Sequence, residues 1–157
     1  MPGELPQLDL DLCRQRQQRL LDVLEAAKAD RAILTRPEQV QYFTGFRPHH
    51  LMAAAVCVDA DGCLLVAPNE EPTRHAAKRV ATFEAQWLCT LRQDQERALA
   101  KSLKDALAKP ASRLATDNSA AWAELGGTST ATVDIEPEIL QLRRRKDADE
   151  LARIRHA

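Results

Sequence analysis

A chain of 157 residues can bury one core of ordinary size and is too short for two full domains. Its 22 basic and 23 acidic residues leave a net charge of −1, so no global field draws it to nucleic acid or to an anionic membrane surface. The opening "MPGELPQLDL" has neither a basic nor an apolar leader segment, and no run of about 18 apolar residues follows. The expectation is a soluble, cytoplasmic protein.

From Asp9 to Ala29 the sequence lacks Gly and Pro and sets Leu20, Val23, Leu24 and Ala27 on one stripe, which predicts an amphipathic helix. Ala32–Leu34 reads as a short buried strand before the Arg36–Pro37 break. A helical turn is predicted from Pro37 to Gly45, with Val40, Tyr42 and Phe43 as its apolar content. In "LMAAAVCVDADGCLLVAP" two apolar runs flank Asp61–Gly62, a hairpin signal that predicts two adjacent antiparallel strands. "NEEPTRHAAKRV" is expected to hold a short helix and "ATFEAQWLC" a strand. Gln95–Lys109 has no breaker before Pro110 and predicts a second long helix. "SRLATD" reads as a strand, "SAAWAEL" as a short helix before Gly126–Gly127, "TATVDIE" as a last strand, and Pro137–Leu142 as a final helical stretch. Trp87 and Trp122 are candidate core residues. Helices alternate with strands around one tight hairpin, which predicts a single three-layer α/β domain: a mixed sheet of about five or six strands with helices on both faces.

The chemistry-bearing residues form no local active-site pattern. Cys13, Cys57, Cys63 and Cys89 include no Cys-x-x-Cys pair and read as free thiols, mostly buried, in a reducing compartment. His49, His50, His75 and His156 show no helical ligand spacing; adjacent His49 and His50 point to opposite sides of an extended chain, so one ion cannot readily use both. There is no Gly-x-Ser-x-Gly elbow, no Gly-x-Gly-x-x-Gly and no phosphate-binding loop. Asp59 and Asp61 bracket a turn, where Asp is expected for its bonds to the backbone. The basic run Arg143–Lys146 has Asp147, Asp149 and Glu150 directly behind it and reads as a solvated, helix-flanking segment.

The tail "LRRRKDADELARIRHA" begins a helix: Asp147 is an N-cap candidate and Glu150 completes a capping box. Leu151 and Ile154 then form an apolar face that is expected to stay exposed or frayed for want of a partner. Taken in order, "RQQRLLDVLEAAKADRAILT", "YFTGF", the strand pair closing on "LLVAPNEE" and "LRRRKDADELARIRHA" resemble the amino-terminal domain of the creatinase, prolidase and aminopeptidase P family, from about Arg16 to Ala157. Arg143, Lys146 and Glu150 match that family's join to its carboxy-terminal catalytic domain.

The resemblance implies a creatinase amino-terminal domain with ribonuclease H-like topology over residues 1–142. Residues 143–157 would then be a linker and the first turns of an absent catalytic domain. It further implies that the full-length protein is an Xaa-Pro peptidase whose catalytic domain holds two divalent metal ions (Mn, Zn or Co) on two Asp, one His and two Glu, none assignable here, and that this chain alone is inactive. Implied partners are that catalytic domain, a second subunit in a homodimer and a proline-containing peptide substrate, with no nucleic acid and no membrane. In some members the loop after the "YFTGF"-like motif reaches the partner subunit's active site, which makes Arg47, His49 and His50 the candidate substrate-binding residues, with no catalytic or metal residue in this chain. The other reading is a peptide- or protein-binding module from a relative that has lost catalysis.

Overall fold

The structure is a computed structural model that describes residues 5–117 and 131–157. Helix α1 spans Leu10–Ala27; the Asp9 carboxylate accepts the Asp11 and Leu12 N–H groups at its start, and Lys28 ends it in the left-handed conformation. The helix therefore ends two residues before the Ala29 expected from the sequence. Strand β1 (Arg31–Leu34) leads into α2 (Pro37–Thr44), which begins on proline and closes on Gly45. The hairpin strands are β2 (Ala55–Asp59) and β3 (Gly62–Pro68). Their loop is Ala60–Asp61; Gly62 already pairs with Asp59, whose Oδ1 accepts the Asp61 N–H at 3.0 Å.

The helix expected within Asn69–Val80 does not form. Pro72 interrupts it, and the segment is tied instead to other elements: Ala76 N–H donates to the Thr44 carbonyl at 2.8 Å and Lys78 N–H to the Cys63 carbonyl at 2.9 Å. The next strand also starts earlier than expected, as β4 (Arg79–Phe83), because a parallel register with β3 sets it. Gln86–Trp87 (β5) and Thr90–Leu91 (β6) then make a separate two-stranded ribbon. Trp87 is not in the core: it is half-exposed, with the Arg92 guanidinium 4.5 Å from its ring centre. Helix α3 covers Gln95–Ala106, β7 Arg113–Thr116, β8 Ala131–Asp134, α4 Glu136–Leu142 and α5 Ala148–His156. Trp122, Gly126–Gly127 and the short helix expected around them lie outside the described residues.

The main sheet has six strands in the order β4-β3-β2-β1-β7-β8. Only β2 runs against the rest; every other neighbouring pair is parallel. Both faces are covered, so the central strands are apolar throughout rather than alternating with polar residues. On one face Leu34, Val56, Val58 and Leu65 pack with Leu20 and Leu24 of α1, Phe43 of α2 and Ile139 of α4. On the other, Ile33, Cys57, Leu64 and Val66 pack with Leu99 and Leu103 of α3. Two ionic features fix the strand ends: Arg31 Nε donates to Asp59 Oδ2 at 2.9 Å, and the buried Asp117 carboxylate accepts the N–H groups of Thr35 and Arg36, both at 3.0 Å. No described helix is long and apolar enough to cross a membrane.

Cys13, Cys57 and Cys63 are buried and Cys89 is exposed. Gly45 has φ of +77°, and a Cβ added there would lie 2.9 Å from Leu10 Cδ2. Gly45→Ala should therefore lower stability by roughly 1–2 kcal/mol, the ordinary cost of an L-residue in that conformation, read as a shift in the denaturant midpoint at constant m-value.

Candidate functional site

The loop that follows α2 is positioned by local bonding. Thr44 Oγ1 donates to the Val40 carbonyl at 2.6 Å and accepts the Phe46 N–H at 3.1 Å, while Gly45 N–H closes the helix on the Gln41 carbonyl. Beyond it Arg47 is exposed, its Nη1 donating to Gln41 Oε1 at 3.3 Å, and Pro48 is buried. His49 Nδ1 accepts the Leu51 N–H at 3.3 Å, and the rings of His49 and His50 lie 4.3 Å apart, tilted by 37°. Gln95 of α3 pins the loop's far end, accepting the Ala53 N–H at 2.9 Å and donating to the Leu51 carbonyl at 3.0 Å.

Two concavities flank this loop, and they separate the residues singled out in the sequence. Arg47 lines a cavity of about 490 Å³ with Phe46, Glu70, Arg74 and Arg153. His50 lines another of about 780 Å³ with Arg36, Met52, Arg92 and Asp94. His49 is exposed and lines neither. The structure thus brings His49 and His50 together and places Arg47 apart from them.

A second polar cluster joins residues far apart in sequence, with no local spacing to announce it. The Arg16 side chain on α1 has no exposed surface; its Nε donates to Asp147 Oδ2 at 3.0 Å and its Nη2 to Asp149 Oδ1 at 2.5 Å, with Glu150 Oε2 at 3.6 Å. Nη1 donates to the Tyr42 carbonyl at 3.4 Å, and the guanidinium lies 4.7 Å from the centre of the Tyr42 ring. Arg143 approaches the same ring, at 5.4 Å, and its Nη1 donates to Gln39 Oε1, so this member of the basic run is half-buried rather than solvated. Arg19 adds a bond to Asp147 at 2.7 Å. The capping box of α5 forms as its sequence indicates, and these contacts dock its first turn on α1, while Leu151 and Ile154 stay exposed. Burial disfavours the charged Arg16, but the hydrogen bonds to Asp149 and Asp147 and the Asp149 charge together outweigh it and raise the pKa. Burial likewise opposes ionisation of Asp147, and the Arg19 and Arg16 bonds overcome it, leaving that carboxyl below the usual range. A signal was available in the sequence: Arg16 and Gln17 fall on the same stripe as Cys13, Leu20 and Leu24, where a polar side chain needs a buried partner.

Asp147, Asp149 and Glu150 offer ligand atoms within 4.8 Å of one another, the one such grouping among the described residues. They do not fit a metal ion, because the Arg16 guanidinium already supplies the positive charge and donors at their centre.

A model of the family described as "Creatinase/Prolidase N-terminal domain" matches residues 16–144. The creatinase/prolidase N-terminal domain of an X-Pro dipeptidase from Streptococcus pyogenes superposes with a TM-score of 0.61 at 15% identity, covering 82% of this chain and 98% of that one. A proline dipeptidase from Streptococcus pneumoniae gives 0.64 at 24% identity, covering 83% and 98%. For the prolidase from Pyrococcus horikoshii the score is 0.65 at 14% identity, with 87% of this chain but only 37% of that chain covered. No curated protein sequence matches.

Arg16→Ala should cost roughly 3–5 kcal/mol, since it leaves carboxylates buried without their partner; denaturant melts measure it. Asp147 has a depressed folded pKa, so its contribution is full above the unfolded value near 3.8 and is lost as pH falls through the folded one. The stability gap between wild type and Asp147→Asn should therefore be constant near neutral pH and shrink below about pH 4, as melts across pH would record.

Proposed function

The chain belongs to the creatinase/prolidase N-terminal domain family, and from that premise we propose that it is the non-catalytic amino-terminal domain of a cytoplasmic, metal-dependent Xaa-Pro peptidase. The observation that carries this reading is one of coverage: the chain matches nearly all of a dipeptidase's amino-terminal domain but little more than a third of a prolidase. On this reading residues 1–142 are the domain, and residues 143–157 lead into a catalytic domain. That domain would supply two metal ions to activate a water; the residues described here do not fit them, and no step of the chemistry falls to this chain.

What the chain supplies is shape and orientation. The Arg16 contacts dictate the direction in which α5 leaves the sheet, and hence how a following domain would sit. In a homodimer, the loop from Arg47 to His50 would face the partner's site, with the Arg47 guanidinium offering a planar fork to the carboxylate of a proline-containing peptide. Its hold on Gln41 is a single exposed bond, readily exchanged for a ligand.

The test compares hydrolysis of an Xaa-Pro dipeptide, with Mn²⁺, Zn²⁺ or Co²⁺ added, by the purified chain and by the longest product of its gene. The chain alone should be inactive and the longer product active. Arg47→Ala in the longer product should raise KM about tenfold or more with little change in kcat, as for the loss of one charge-assisted bond in ground and transition state alike. Turnover by the isolated chain would overturn the assignment, and an inactive longer product that binds proline peptides would favour a binding module.

A further inference from the structure

We propose that residues 5–9 form a strap whose docking is thermodynamically coupled to that of α5, so that whatever steadies α5 also closes the strap over the Arg47 cavity. The strap's backbone is held by side chains remote in sequence. Arg74 Nη2 donates to the Leu8 carbonyl at 2.6 Å, Arg153 Nη1 donates to the Pro6 carbonyl at 2.9 Å, and the Asp9 N–H donates to Asp149 Oδ2 at 2.9 Å. Two of these three bonds come from α5. Moreover, the Asp149 carboxylate that receives the strap through Oδ2 receives Arg16 through Oδ1. Displacing that carboxylate breaks both contacts in one movement.

The energetic balance makes the coupling consequential. A helix of nine residues is marginal in isolation, and the outward Leu151 and Ile154 of α5 bury little. Its order is drawn from the Arg16 contacts and from the strap. The strap in turn has one buried anchor, Leu8, packed with Cys13 and Ala76. Gln7 and Leu8 line the same cavity as Arg47, Arg74 and Arg153, so the strap's position alters the walls around Arg47. A domain packed on Leu151 and Ile154 would tighten α5 and thereby the strap. That functional consequence rests on the reading above, whereas the coupling is a property of this chain.

Hydrogen exchange by mass spectrometry tests it. Arg74 hydrogen-bonds the strap and not α5. In Arg74→Ala the amides of α5 should nevertheless exchange about five-fold faster or more, while those of β3 keep their protection as a control for global opening. Reciprocally, Arg19→Ala, which removes a bond to the Asp147 cap of α5 and none to the strap, should speed exchange at Asp9. A strap that loosens in Arg74→Ala while α5 exchanges as in wild type would overturn the proposal. Should Arg74→Ala also loosen β3, Leu8→Ala, which weakens the strap by lost packing, is read by the same criterion. An inactive longer gene product would count against the proposed function and leave this result standing.

Discussion

A guanidinium removed from water is tolerated only where its donors and its charge are both met, and the rest of this structure is arranged around meeting those of Arg16. Three carboxylates from the first turn of α5, a backbone carbonyl of α2 and the face of Tyr42 surround it. The arrangement joins α1, α2 and α5 at one point and gives the last helix a defined attitude that its own composition would not. It also leaves a residual imperfection, since the buried Tyr42 hydroxyl finds no hydrogen-bond partner among the described residues. Apolar side chains in place of the cluster would not select one direction for α5. Directional bonds select it, in the way buried polar groups fix register elsewhere.

The sheet contributes the rigidity against which this junction works. With β2 the one reversed strand, β1 is paired in an antiparallel sense on one side and a parallel sense on the other. Asp117, directly after β7, ties the carboxyl end of that strand to the segment leaving β1, its carboxylate accepting the N–H groups of Thr35 and Arg36. Its carboxyl is pushed up by burial, only partly offset by those bonds. The loop carrying Arg47, His49 and His50 thus springs from a fixed frame at both ends, Gly45 at one and Gln95 at the other.

Much of the architecture was legible in the sequence because local signals and burial agree there. The apolar runs around Asp61–Gly62, the stripe of α1 and the prolines opening α2 and α4 each specify an element without reference to anything distant. Where tertiary contacts decide, the signal fails. Residues 69–78 carry helix-forming Ala and Glu but are held by Thr44 and Cys63, and Trp87 lies on a ribbon outside the core, under Arg92. The Arg16 cluster was missed for the same reason, as its partners lie some 130 residues away and no local spacing announces them. The apolar periodicity of the tail marks its exposed face, whereas its polar face makes the contacts.

The distribution of the thiols has a practical meaning for anyone handling the protein. Burial pushes Cys13 up to about 11 and Cys57 and Cys63 up to about 12, and thiolate is the reactive form. Cys89, on the exposed turn of the β5–β6 ribbon, is the thiol that an oxidant or alkylating reagent meets while the chain is folded. The other three become available in different ways: Cys57 and Cys63 only when the central sheet opens, and Cys13 when the amino-terminal end of α1 lifts from Ala76 and Leu8. The native cysteines therefore grade the molecule by layer, and the order in which they are modified is a record of which part let go first.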